Sequence, residues 1–341
     1  MKKRIRAAVI VLLASMFVAT SLGVSNADEM KIQPKGDKKI KIAVMDLISS
    51  IEVAALFNKH HMAAAKARKW EAQVFDLNSN FSQSESIMEN IIAAGYDGVI
   101  VHWTTPKFYE VQLKKAKAKG IPVLTIACGE LLPGIVGDFA ISNVAAGALN
   151  GEYLATKLGR GGKVITYYIP HQLIHRQRLM GAKAAFETYG VSIAQELYVS
   201  SGDLSQQCYE ACKNAFLADT KKEIKGVWTP WEGFGIPAAR AAMDIGRKDV
   251  IVVTVDDSPN TYSEFRNLPT LHASAATLGL TRQIVDDMFS IFDKVFAGES
   301  VPTRQFYGIP PYLVTKENLP PKGYFFSFCG YEGRPPDFKV K

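Results

Sequence analysis

Three apolar runs in the first third of the chain constrain its fold most: KIAVMD (Lys41 to Asp46), GVIVHW (Gly98 to Trp103) and IPVLTIACG (Ile121 to Gly129). Runs of this length that are apolar throughout, alternating with helical patterns, predict parallel strands buried on both faces in βαβ units. A second series follows at nearly the same spacing, with KVITYYI from Lys163, GVWTPW from Gly226 and DVIVVTVDD from Asp249. Two such series predict two similar open α/β domains side by side. Open parallel sheets bind ligands outside the carboxyl ends of their strands, so two facing sheets make a cleft. Candidate functional residues are therefore those that follow each strand.

The chain begins MKKRIR, continues with an apolar run from Ala7 to about Val18, and then carries small residues at Val24 to Ala27. That order predicts a secretory signal cut between Ala27 and Asp28, placing the mature protein in the periplasm. The competing reading is an uncleaved anchor, since the apolar stretch can be extended to Val24. Lys+Arg number 40 against 33 Asp+Glu, and removing the signal leaves 36 against 33. The mature chain is thus close to neutral, which gives no electrostatic argument for a nucleic-acid partner. No other segment is apolar for long enough to cross a membrane.

Asp28 to Lys39 is polar and charged and is expected as a flexible lead-in. Helices are expected near Val53–Lys69, Ser84–Ala94 and Val111–Lys119 in the first series, the last two ending at Gly95 and Gly120. In the second they are expected near Ala145–Leu158, Arg176–Tyr189, Gln206–Phe216 and Ile236–Ile245, with a long helix at Leu280–Phe296. Cys208 and Cys212 fall four apart on a helix, a spacing that strains a disulfide, so they read as buried thiols. Cys128 and Cys329 leave pairing open. No cofactor motif is present.

KIAVMD, GYDGVIVHWTTP, KAKAKGIPVLTI, ISNVAAGALNGEYLATKLG, RQRLMGAKAAFETYG, GRKDVIVVTVDDSP and FAGESVP run in order from about Lys38 to Val314. This ordered series resembles the type 1 periplasmic binding proteins related to ribose-binding protein. The resemblance implies an α/β fold of two doubly wound parallel-sheet lobes joined by three hinge crossovers. It places the crossovers near Ala140–Asn143, Ala275–Leu278 and Gln305–Gly308. The first lobe would then be residues 38–141 plus 278–305, and the second 142–277 plus 306–341.

By the same resemblance Arg178, in RLMG, and Asp256, in VTVDD, fall at ligand-contacting positions. A guanidinium fork and a carboxylate can read hydroxyls, or a carboxylate and an amine; the competing reading is a salt bridge across the cleft mouth or an Arg on the solvated helix face. Where sugar-binding members carry an Asp-Arg pair after the IPV strand, this chain has Ala127 and Cys128, and where they carry an early aromatic pair it has Val53 and Ala54. These departures argue against a standard pentose or hexose. Trp103, Trp231 and Phe234 are expected in the crevice instead, with His102, His171 and Glu232 as polar contacts, which favours a ligand with an apolar or aromatic face. Cys128, Ile51, Asp203 and Thr277 complete the candidate set. His171 and His175 stand one turn apart, but the Glu of HExxH is absent and no third ligand is evident, so no metal is expected and the pair reads as solvated or ligand-facing.

The expected function is capture of a small molecule for delivery to an ABC permease. The alternative is a periplasmic sensor that relays binding to a histidine kinase or chemoreceptor. No GxSxG, P-loop or post-strand GxGxxG is present, which argues against an enzyme. Repressors that share the fold carry an amino-terminal DNA-binding headpiece, whose place is taken here by the signal.

Overall fold

Each apolar run forms a strand buried on both faces. The computed structural model describes residues 28–199, 203–276 and 281–319; the expected signal peptide, Cys329 and Thr277 lie outside them. The first sheet contains β2 (Lys41–Asp46), β3 (Glu71–Asp76), β4 (Gly98–His102), β5 (Val123–Ile126), β6 (Ile135–Ile141) and β13 (Gln305–Ile309), in the order β13-β6-β5-β4-β2-β3. All its pairings are parallel. Asp46 pairs with His102 and His102 with Ile126. The next residues, Leu47, Trp103 and Ala127, therefore emerge together at the carboxyl edge. Helices α1 (Glu52–Ala67), α2 (Ser84–Ala93) and α3 (Glu110–Ala118) cross between these strands.

The second sheet runs β14-β11-β10-β9-β7-β8, from β7 (Lys163–Tyr168), β8 (Ser192–Tyr198), β9 (Ile224–Trp228), β10 (Ile251–Val255), β11 (Leu271–Ala276) and β14 (Tyr312–Thr315). Only β14 is antiparallel to its neighbour. Its helices are α4 (Asn143–Leu158), α5 (Leu173–Tyr189), α6 (Leu204–Ala218), α7 (Glu232–Asp244) and α8 (Pro259–Asn267). Helix α9 (Thr281–Phe296) returns to the first lobe, where Phe289 stacks on Trp70 and His61.

Four features depart from the sequence reading. Residues 28–39 are not a free lead-in, because β1 (Glu29–Met30) pairs antiparallel with β12 (Val301–Pro302). Strand β6 was unexpected, since Gly137 and Asp138 interrupt its apolar run. Helix α7 begins a turn earlier than its composition suggests, with Gly233, Gly235 and Pro237 inside it. The third crossover lies beyond Gln305–Gly308: Gln305 to Ile309 pair with Gly137 to Ile141 in the first sheet. The chain passes to β14 through Pro310 and Pro311, which have no N–H to extend a ladder.

Helices α4 and α5 touch backbone to backbone. A Cβ on Gly147 would lie 1.7 Å from the Arg178 carbonyl oxygen, and one on Gly181 would lie 2.0 Å from that of Val144. No side-chain rotation relieves a clash with a carbonyl, so the two helices would have to part. Gly181→Ala is expected to cost about 3 kcal/mol or more, the upper end of overpacking, measured by urea unfolding. A loss under about 0.5 kcal/mol, the ordinary surface value, would refute the rigid contact.

Candidate functional site

Between the two sheets' carboxyl edges lies a cavity of about 90 Å³, measured over the positions that water centres can take. Leu47 and Ile48 after β2, Ile51 before α1, and Val53 and Phe57 within α1 form one wall. Phe81, Trp103, Ala127 and Phe139 continue it on the first lobe. The second lobe contributes Ile169, Ile174, Leu204 and Trp231, together with the polar side chains of Gln172, His175, Arg178 and Asp256. Ile141 and Ile309, paired at the ends of β6 and β13, line it where the lobes join.

Four lining residues have a left-handed backbone although none is glycine: Ser79 (φ 62°), Trp103 (53°), Ala127 (50°) and Asp256 (67°). Trp103, Ala127 and Asp256 each come directly after a strand. A side chain there costs on the order of 1–2 kcal/mol, and such outliers gather where geometry serves a site. In each case the turn swings the residue out of the strand's alternation and into the cleft. Strand alternation sends His102, the last residue of β4, into the core.

Arg178 and Asp256 form the polar end. Arg178 Nη1 donates to Asp256 Oδ2 at 2.6 Å and Nη2 donates to Oδ1 at 3.1 Å, a two-pronged pair whose side chains are 3% and 16% exposed. Arg178 Nη1 also donates to the Pro230 carbonyl and Nε to Asn143 Oδ1. The guanidinium is thus spent mainly inside the second lobe. Trp231 caps α7 with an extended backbone, its ring edge-on to Phe234 and lying where a Gly233 Cβ would stand.

Of the sequence candidates, Arg178, Asp256, Trp103, Trp231 and Ile51 line the cavity, and the others do not. His102 is buried beside Asp46 and His61, with its Nε2 3.0 Å from that of His61, behind Phe57 and Trp103. Cys128 turns its sulfur toward the carbonyls of Val101 and Ile126 in the first lobe's core. Phe234 is buried behind Trp231. His171 packs edge-on against Phe81, whose own ring lines the cavity. Asp203 caps α6 by accepting from the Gln206 N–H. Glu232 is buried at the start of α7. Thr277 lies outside the described residues. Phe57, Phe81 and Phe139 were not expected to contribute, and His175 takes the ligand-facing one of its two readings. Cys128, Cys208 and Cys212 are buried free thiols. Among the described residues, no group of three or more His, Cys, Asp or Glu could hold a metal ion.

The sequence profile described as "Periplasmic binding protein domain" matches residues 47–267. The chain belongs to the periplasmic binding protein family. It is 24% identical over 293 residues to a xylitol-binding protein of Mycolicibacterium smegmatis, covering 83% of this chain and 78% of that one. It is 26% identical to the ribose import binding protein RbsB of Bacillus subtilis over 77% of this chain and 85% of that one. A crystal structure of an ABC sugar transporter subunit from Rhodobacter sphaeroides superposes with a TM-score of 0.74 at 21% identity, covering 82% of this chain and 99% of the other. This periplasmic binding protein is of type 1, with the ribose-binding-protein-like two-lobe fold, and is a solute binder rather than an enzyme.

Burial, and then the neighbouring Asp256 carboxylate, raise the Glu232 carboxyl well above the usual range, and its Oε2 has no hydrogen-bond partner among the described residues. The folded protein therefore holds this proton more tightly than the unfolded chain. Its contribution to stability is full below the unfolded pKa of about 4.3 and is lost as pH rises toward the folded value. Glu232→Gln removes that loss. Its stability relative to the parent should climb with pH from about 4.5 by up to about 1.4 kcal/mol per unit, measured by urea unfolding at pH 5, 6, 7 and 8. A constant difference across that range would show that the carboxyl ionises freely in the fold.

Proposed function

We propose that this protein captures a small solute with an apolar or aromatic face in the inter-lobe cleft, in the periplasm after signal cleavage, and delivers it to an ABC importer. The observation that carries the ligand class is the cavity lining: the first lobe's wall is almost wholly aliphatic and aromatic, and polar groups cluster at Arg178 and Asp256 on the second. Sugars present hydroxyls around their whole edge, and burying them against such a wall without partners is costly. A solute with one apolar flank and a few polar handles suits it better. Delivery to a permease, rather than sensing, is favoured by relatives named for import and ABC transport.

In this reading Trp103 and Trp231 hold the apolar flank, Ile51 packs beside it, and Arg178 with Asp256 orients the polar end. The lobes correspond to 38–141 plus 278–309 and to 142–277 plus 312 onward, and the ligand bridges them.

A thermal-shift screen against sugars, polyols, nucleosides, amines, aromatic acids and aromatic alcohols tests it. A true ligand at about 100 times its Kd adds roughly 2.7 kcal/mol. Hits are expected among compounds with an aromatic or aliphatic face, with ribose and xylitol silent. Trp231→Ala should weaken a hit about tenfold or more, as buried Trp anchors do, while circular dichroism is unchanged. A pentose or hexose as the tightest hit would overturn the ligand class, and full affinity in the Trp231 variant would remove that residue from the site.

A further inference from the structure

We propose that His175 is the residue that selects the ligand, and that the ligand is a small solute of no net charge, with an apolar body and one hydroxyl or comparable oxygen. This rests on the solute-capture reading above and narrows it.

The argument starts from charge. Among the described residues, Arg178 and Asp256 are the only ones of fixed charge type on the cavity wall, and they neutralise each other through two bonds. The remaining bonds of Arg178 go to Pro230 and Asn143, which leaves one Nη2 N–H. A cationic or anionic solute would enter an apolar enclosure with no spare counter-charge, a costly burial. A solute of zero net charge incurs no such penalty.

One lining side chain is polar, buried and unengaged. His175 lies one turn before Arg178 on α5 and is buried, its ring edge-on to Phe234. No protein group among the described residues bonds either of its ring nitrogens. Nδ1 is fully enclosed, whereas Nε2 is not, so Nε2 is the nitrogen that the cavity reaches. Burial, and then the positive charge of Arg178, hold the imidazole well below its usual pKa. At neutral pH it is therefore an uncharged ring that can donate or accept one hydrogen bond. Gln172, by contrast, already donates to the Trp103 carbonyl. Buried polar groups left unpaired are the strongest source of discrimination in a binding site, because an analogue without the matching atom leaves them stranded.

The test uses four probes of one body and one size: toluene, benzyl alcohol, benzylammonium and benzoate, titrated into the intact protein by calorimetry and tryptophan fluorescence, with ribose and xylitol alongside. Benzyl alcohol is expected to bind about tenfold more tightly than the other three, the range of one buried hydrogen bond. In His175→Leu that advantage over toluene should fall to about twofold or less with toluene unchanged, and His175→Gln should keep most of it. Tightest binding by benzoate or benzylammonium would overturn the proposal. So would His175→Leu weakening toluene as much as the alcohol, which would mark a packing role. Binding of ribose or xylitol with all four probes silent would overturn this proposal and leave solute capture standing. Silence of all six overturns it as well, and if the wider screen is also silent, solute capture falls with it.

Discussion

The buried guanidinium of Arg178 organises the second lobe's half of the cleft. It bonds Asn143 at the head of α4, the Pro230 carbonyl before α7 and the carboxylate of Asp256 after β10, three segments far apart in the chain. It reaches all three because α5 lies against α4 with only glycine hydrogens between their backbones at Gly147 and Gly181. A second buried bridge runs parallel to it: Asn150 on α4 donates to the Thr254 carbonyl and accepts from the Trp228 indole N–H. Helix α4 is thereby tied to β9 and β10, the strands that present Trp231 and Asp256. Losing either bridge would leave buried polar groups unpaired, so the wall of the cleft and the core of the lobe are one network.

The first lobe meets the cleft in the opposite way. Its wall is aromatic and aliphatic apart from Ser79, and the polar side chains of Asp46, His61 and His102 sit one layer behind. Asp46 accepts from the Asn58 amide and lies near His102, which contacts His61 under the rings of Phe57 and Trp103. Burial first, then the adjacent imidazole of His102, holds His61 well below its usual pKa, so this layer adds no charge from His61 beneath the wall. One lobe thus offers apolar area, worth about 25 cal/mol per Å² removed from water, and the other offers direction through hydrogen bonds. A solute that touches both stabilises the arrangement in which they face each other, the differential contact that a ligand-driven closure requires.

How much of this could be read from the chain follows from where each signal lies. The core strands were legible because burial on both faces makes them continuously apolar. Strand β6 was not, since Gly137 and Asp138 break its apolar run. Helix α8 was missed although Ser258 and Pro259 mark its start, and Ser258 does accept from the Thr261 N–H. At the site, residues directly after strands were legible in pairs but not singly. Trp103 and Ala127 line the cavity, while their neighbours His102 and Cys128 turn into the core. The choice is made by a positive φ at one residue of each pair, which composition does not reveal in a non-glycine residue. Which face of a helix meets a cleft depends on how the helix is docked, so Phe57 was missed and His175 stayed open between a solvated and a ligand-facing place. For α5 that docking is governed by the Gly147 and Gly181 contacts.

The lobes meet at the cavity floor. Ile141 and Ile309 end neighbouring parallel strands, pair with each other, and line the cavity just before the chain crosses to the second lobe. The first crossing is then taken up by Ser142, which caps α4, and the third by Pro310 and Pro311, whose φ angles are fixed near −65°. Two of the three crossings therefore start from a common hydrogen-bonded edge at the cavity floor. For lobes that close about such an edge, a solute seated against it touches both walls after a small rotation. In the solute-capture reading, contact with both lobes is what selects the closed arrangement, and Ile141 and Ile309 line the cavity at the strand ends from which the chain leaves for the second lobe.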